Sequence, residues 1–75
     1  MLSNLEVRVI DFAFNRILTG RPQFYARDLS EFVEKKYPGI APGTPCRLLR
    51  RLRWTNHIGY KLINRNESLY QMMWV

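Results

Sequence analysis

Gly43-Thr44-Pro45-Cys46-Arg47-Leu48-Leu49-Arg50-Arg51-Leu52-Arg53-Trp54 is the stretch on which the reading of this chain turns. At about 100° per residue, Leu48, Leu49 and Leu52 fall on one side of a helix with Pro45 beside them. Arg47, Arg50, Arg51 and Trp54 fall on the other. Thr44 followed by Pro45 makes an N-cap and first-position pair, because threonine caps free backbone donors and proline needs no donor at the first turn. The spacing predicts a helix from about 44 that ends near Asn56 to Gly59, packed on one face and cationic on the other. No acidic residue stands at i+3 or i+4 to neutralise the arginines, which separates this face from an ordinary solvated surface laced with ion pairs.

The charge of the whole chain is concentrated around that helix. Residues 1–40 hold six Lys or Arg and five Asp or Glu, a net +1, whereas residues 41–75 hold six and one, a net +5. A net charge of +6 and a pI near 10.1 point to nucleic acid, an anionic membrane surface or an acidic protein as partner. With 75 residues, 47% of them hydrophobic, the chain reads as one small folded domain over residues 1–75 with an economical core. No apolar run reaches the roughly 18 residues needed to span a bilayer, and Met1 to Glu6 lack the basic start and apolar segment of a signal peptide. Cys46 is alone, so neither an intramolecular disulfide nor a cysteine metal cluster is expected. The expected location is the cytoplasm, associated with the nucleoid.

Upstream, Ser3 and Glu6 form a capping box with Leu2 as staple, which predicts a helix from Asn4 to about Leu18 that stops at Thr19-Gly20-Arg21-Pro22. Val7, Ile10, Ala13, Phe14, Ile17 and Leu18 form the stripe assigned to the core, and Asn4, Arg8, Asp11, Asn15 and Thr19 a narrow polar arc. Leu5, Val9 and Phe12 lie on an apolar shoulder outside that stripe. Either the C-terminal hairpin covers them, or they join Trp74 as the surface of a homodimer. Gln23-Phe24-Tyr25 reads as a short extended piece. Ala26 to Tyr37 reads as a second helix, with Leu29, Phe32, Val33 and Tyr37 inward, Asp28 in the first turn and Lys35 and Lys36 in the last, as the helix dipole favours. Pro38-Gly39 breaks it. From Tyr60 the period becomes two, with Tyr60 and Leu62 on one face and Lys61 and Ile63 on the other. The turn Asn64-Arg65-Asn66-Glu67-Ser68 then returns the chain through Leu69 to Val75 as a β-hairpin.

The order helix, short strand, helix, turn, helix, hairpin resembles a winged helix-turn-helix domain, of the kind found in small prokaryotic, plasmid and phage transcription regulators. The resemblance is carried by Cys46-Arg47-Leu48-Leu49-Arg50-Arg51-Leu52, followed by Gly59-Tyr60-Lys61-Leu62 and Leu69-Tyr70-Gln71-Met72, and it spans nearly the whole chain. It rests on pattern rather than on an invariant signature. The fold it implies is α+β, three helices packed on a small C-terminal hairpin, the wing. The function it implies is sequence-specific binding of double-stranded DNA, with the third helix in the major groove and the wing on the backbone or minor groove. Arg47 and Arg51 are assigned to base edges, and Arg50 and Arg53 to phosphates, since planar guanidinium forks suit both guanine edges and phosphate oxygens. Thr44 can dock a phosphate at the helix start. Trp54 can stack on a sugar or base, although its preferred place is folded over the core edge. In the wing, Lys61, Asn64, Arg65 and Asn66 face the backbone or minor groove, Arg65 foremost. A homodimer reading two half-sites would enlarge the contact.

His57 and Cys46 have no partner at metal-ligand or dyad spacing, and no glycine-rich phosphate loop occurs, so neither catalysis, cofactor, metal nor small-molecule substrate is expected. The sequence supports two other readings: a protein interaction module for an acidic partner, or RNA binding with Trp54, Tyr60 and Tyr70 as stacking groups.

Overall fold

Helix starts and stops lie where the chain chemistry sets them. In the computed structural model, which describes residues 1–75, the order is α1 (Asn4–Leu18), β1 (Gln23–Tyr25), α2 (Ala26–Lys36), α3 (Thr44–Trp54), β2 (Gly59–Asn64) and β3 (Leu69–Trp74). At the head of α1 the Ser3 backbone N–H donates to Glu6 Oε1 at 2.9 Å, and the Glu6 N–H donates to Ser3 Oγ at 3.1 Å, the reciprocal pair of a capping box. At its tail Gly20 sits at φ 71°, the Gly20 N–H reaches the Ile17 carbonyl and the Arg21 N–H reaches the Arg16 carbonyl. That pair of bonds is a Schellman motif, whose left-handed residue glycine adopts without strain. The start of α2 is held by Asp28, whose carboxylate accepts from the Tyr25 backbone N–H at 2.9 Å.

The end of α3 is a second Schellman motif and comes earlier than the spacing predicts. The helix stops at Trp54; Asn56, at φ 62°, donates its N–H to the Arg53 carbonyl, and the His57 N–H reaches the Leu52 carbonyl at 2.9 Å. Asparagine tolerates the left-handed region better than other residues with a side chain, so Asn56 serves where glycine usually does. The start of α3 also differs. Gly43 occupies the cap position in helical geometry with no side-chain cap, and Thr44 is already the first helical residue. Its hydroxyl accepts from Arg47 Nη2 at 3.4 Å instead of capping the backbone.

The three strands form one antiparallel sheet in the order β1-β3-β2, with Phe24 opposite Tyr70 and Tyr60 opposite Met72. The extended piece read at residues 23–25 is therefore a third strand, added to the outer side of the hairpin. Its position is reinforced where the Ala26 N–H donates to the Ser68 carbonyl and the Met72 N–H to the Pro22 carbonyl. The turn of the hairpin is thus tied to the start of α2.

The core is a single cluster of Val9, Phe12, Ala13, Phe24, Leu29, Val33, Leu48, Leu49, Leu52, Ile58, Tyr60 and Met72. An aromatic spine runs through it: Phe32, Phe12, Phe24, Tyr70 and Tyr60 follow one another with ring centroids 5.1 to 5.6 Å apart, joining α2, α1, β1, β3 and β2. The inward residues expected of α2 and α3 are inward: Leu29 and Val33 are fully buried, Phe32 and Tyr37 pack on the rim, and Pro45, Leu48, Leu49 and Leu52 are buried.

The face assigned to α1 is reversed. Val9 and Phe12, expected on a shoulder and offered as a dimer surface, are 0% and 4% exposed at the centre of the core, and Leu5 packs against them. Val7, Phe14, Ile17 and Leu18, expected in the core, are 38 to 66% exposed; only Ala13 and, in part, Ile10 stay with it. Two polar residues are accommodated on the buried side. Glu6 lies on the inward side because its carboxylate is consumed by the cap, and Arg16 lies beside Phe12 with its guanidinium 5.1 Å from that ring, bonded to the Gln23 carbonyl and 3.9 Å from Asp28. With local partners, both tolerate the core rim, while Asn4, Asp11, Asn15 and Thr19 of the polar arc stay exposed, so what changes is which apolar flank of that arc is buried.

Candidate nucleic-acid interface

α3 carries its leucines into the core and turns Arg47, Arg50, Arg51 and Arg53 to solvent, all four exposed. The only salt bridge in the protein is Arg16–Asp28, so none of these guanidinium groups is neutralised by a carboxylate of its own chain. Arg47 reaches only the Thr44 hydroxyl, and Arg53 lies over the Tyr60 ring at 4.9 Å, an aromatic contact that orients it and leaves its charge intact. The carboxylate that feels Arg51 is Glu6, and it is held below the ordinary carboxylate range first by the hydrogen bond from the Ser3 backbone, with Arg51 a smaller influence.

Trp54 departs from its preferred reading. It is 83% exposed and stands clear of the core edge, in an open concavity lined with Arg50, Arg53 and Asn56. A flat indole flanked by two guanidinium groups is chemically suited to a base or sugar face with phosphate beside it. Asn56 was missed at the sequence level. Its signal was an asparagine just past a helix end, which sets it in the left-handed turn and at this concavity.

In the hairpin the expected contacts divide. Lys61, Arg65 and Asn66 are exposed, Arg65 and Asn66 in the turn. Asn64 is committed to that turn: its Nδ2 donates to Glu67 Oε1 at 2.9 Å, and its Oδ1 accepts from the Glu67 N–H at 3.2 Å. Its side chain holds the turn's shape and is not free for phosphate. Trp74, offered as a dimer residue, is about half exposed, and its indole lies so close over Gly59 that a Cβ there would run into it. The aromatic stacking set read for RNA also dissolves, since Tyr60 is buried in the core and Tyr70 is stacked on Phe24.

The two lone reactive side chains are placed without chemical partners. Cys46 is partly buried, and desolvation pushes its thiol above the usual range against a smaller effect of Arg50. His57 is exposed and its Nδ1 lies 2.8 Å from the Thr55 hydroxyl, so its contact is local to the end of α3. No group of three or more His, Cys, Asp or Glu is placed to hold a metal ion, and no helix is long and apolar enough to cross a membrane.

No protein-family model, curated protein or solved structure matches this chain.

Proposed function

We propose that this protein is a winged-helix domain that binds double-stranded DNA sequence-specifically as a transcription regulator, α3 entering the major groove and the β2–β3 hairpin lying on the backbone or minor groove. The observation that carries the reading is the state of the α3 arginines: four exposed guanidinium groups on one short helix, none paired with a carboxylate. A surface without function would gain nothing from that self-repulsion, whereas a polyanion relieves it. The sheet order, with the first strand added to the hairpin and α3 immediately before it, fits the same family pattern. Arg47 and Arg51 take base edges, Arg50 and Arg53 phosphates, and Lys61, Arg65 and Asn66 the backbone beside the hairpin.

A second reading has one observation in its favour. Trp54, exposed between Arg50 and Arg53, is also suited to an unpaired base, which single-stranded DNA or RNA offers and a duplex does not. One titration decides among these. Fluorescence anisotropy with random and promoter-derived duplexes at two salt concentrations should give binding whose log K falls with log salt at a slope of about −3.6, for roughly four phosphates, those met by Arg50, Arg53, Lys61 and Arg65, at about −0.9 each. Arg51→Ala should weaken specific binding by about 1–3 kcal/mol and relax one base position. Weak binding with no duplex preference defeats the reading, and displacement by single strands in competition hands the site to the second.

A further inference from the structure

The outer side of α1 is an apolar seam that nothing in the chain covers. Val7, Asp11, Phe14 and Leu18 follow one another at spacings of four, three and four residues, the rhythm of a helix that packs along another helix. Val7, Phe14 and Leu18 are 43%, 51% and 66% exposed, and Ile17, at 38%, broadens the seam on the flank it shares with Ile10. We propose that this seam is a self-association surface, with α1 of one copy packed antiparallel on α1 of a second.

Charge selects the second copy. Residues 4–18 contain Glu6 and Asp11 against Arg8 and Arg16, a balance of zero, in a protein whose excess of +6 lies almost wholly beyond residue 40. Moreover, both helix cations are engaged away from the seam: Arg8 donates to the Phe32 carbonyl at 2.8 and 3.2 Å and caps the Phe32 ring at 3.7 Å, and Arg16 bonds Gln23 and Asp28. α2 is balanced as well, with Arg27, Lys35 and Lys36 against Asp28, Glu31 and Glu34, but it exposes no large apolar side chain, so α1 is the helix that joins an apolar face to a charge balance at which two strongly basic molecules meet with little repulsion. An acidic partner would be drawn to α3 instead.

The seam is also complementary to itself when reversed. Setting Val7 against Leu18 of the partner subunit places Asp11 beside Phe14 of the partner subunit and within reach of the side-chain amide of Asn15 of the partner subunit. The two-fold axis repeats each contact, and Ile10 and Ile17 of the two copies meet on the same flank. The contact from Val7 to Leu18 runs only about 16 Å along the helix. That is at the small end of specific interfaces, and the two Asp11 carboxylates temper it further, so association in the range of about 10–100 µM is expected.

Sedimentation equilibrium of the full chain without nucleic acid, from about 1 to 300 µM, should show a monomer–dimer equilibrium in that range. Phe14→Lys and Leu18→Glu, each at a half-exposed or more exposed position, should weaken it at least about tenfold, with unchanged far-ultraviolet circular dichroism and thermal midpoint marking an intact fold. In a Cys46→Ser background, chains carrying Val7→Cys mixed with chains carrying Leu18→Cys should form the mixed disulfide under mild oxidation, and neither should cross-link to itself. A monomer throughout the range overturns the proposal and leaves the seam to another protein or a lipid surface. Val7→Cys chains cross-linking to themselves also overturn it, because that contact requires parallel helices.

Discussion

Glu6 serves the start of α1 and the rim of the core with one side chain. A carboxylate at the core rim is costly unless its oxygens are satisfied, and here the Ser3 backbone N–H supplies the bond that holds its pKa below the ordinary range. A folded-state pKa lowered relative to the unfolded chain contributes stability above the unfolded value and loses it as pH falls through the folded one. Glu6→Gln should therefore lower the thermal midpoint at pH 7 and flatten its decline between about pH 5 and pH 3, the window below an ordinary glutamate's pKa. Thermal melts of both proteins across that range measure the difference, and parallel curves would remove Glu6 from the acid response. Cys46 is the counterpart among neutral groups, its thiol pushed up by partial burial against the smaller effect of Arg50.

Among the elements, α2 and α3 bury the faces that their local periodicity sets, whereas the ends of α3 do not lie where its spacing puts them. Its three leucines and Pro45 are inward as the wheel requires, while its length is decided by Asn56, whose positive φ closes the Schellman motif two residues after Trp54. Asn56→Gly should leave stability unchanged or raise it slightly, and Asn56→Ala should lower it by about 1 kcal/mol, since only the second forces an ordinary side chain into the left-handed region. Urea unfolding of the two variants checks this, and equal stabilities would remove the motif as the reason the helix ends there. α1 behaves differently. It is apolar around most of its circumference, so its periodicity supports two opposite inward faces, and nothing within the helix chooses between them.

At the level of the molecule, that choice falls to the aromatic spine. Phe24 is its midpoint, 1% exposed, edge-on to Phe12 and stacked on Tyr70, so that one strand residue links α1 to the sheet. Phe24→Ala should cost about 3–5 kcal/mol, a large part of the stability of so small a domain, and calorimetry should find it unfolded or melting far below the parent protein. A loss under 1 kcal/mol would move the organising role elsewhere. Because Phe12 must meet Phe24 and Phe32, α1 is rotated to bury Val9 and Phe12, and Val7, Phe14 and Leu18 are left outside.

The chain by itself determined the positions of the helices, the cap of α1, the inward faces of α2 and α3 and the cationic character of the outer face of α3. Those features depend on residues within a few positions of one another, where hydrogen-bond chemistry and the 3.6-residue period act without help. Only the tertiary structure decided which side of α1 is buried, that residues 23–25 become a strand of the sheet, that Trp54 stands in solvent and that Asn64 is absorbed by its turn. Each of these depends on contacts between residues distant in sequence or on a competition between two locally acceptable arrangements, and the burial of the aromatic spine, far larger than any local preference, settles the rotation of α1.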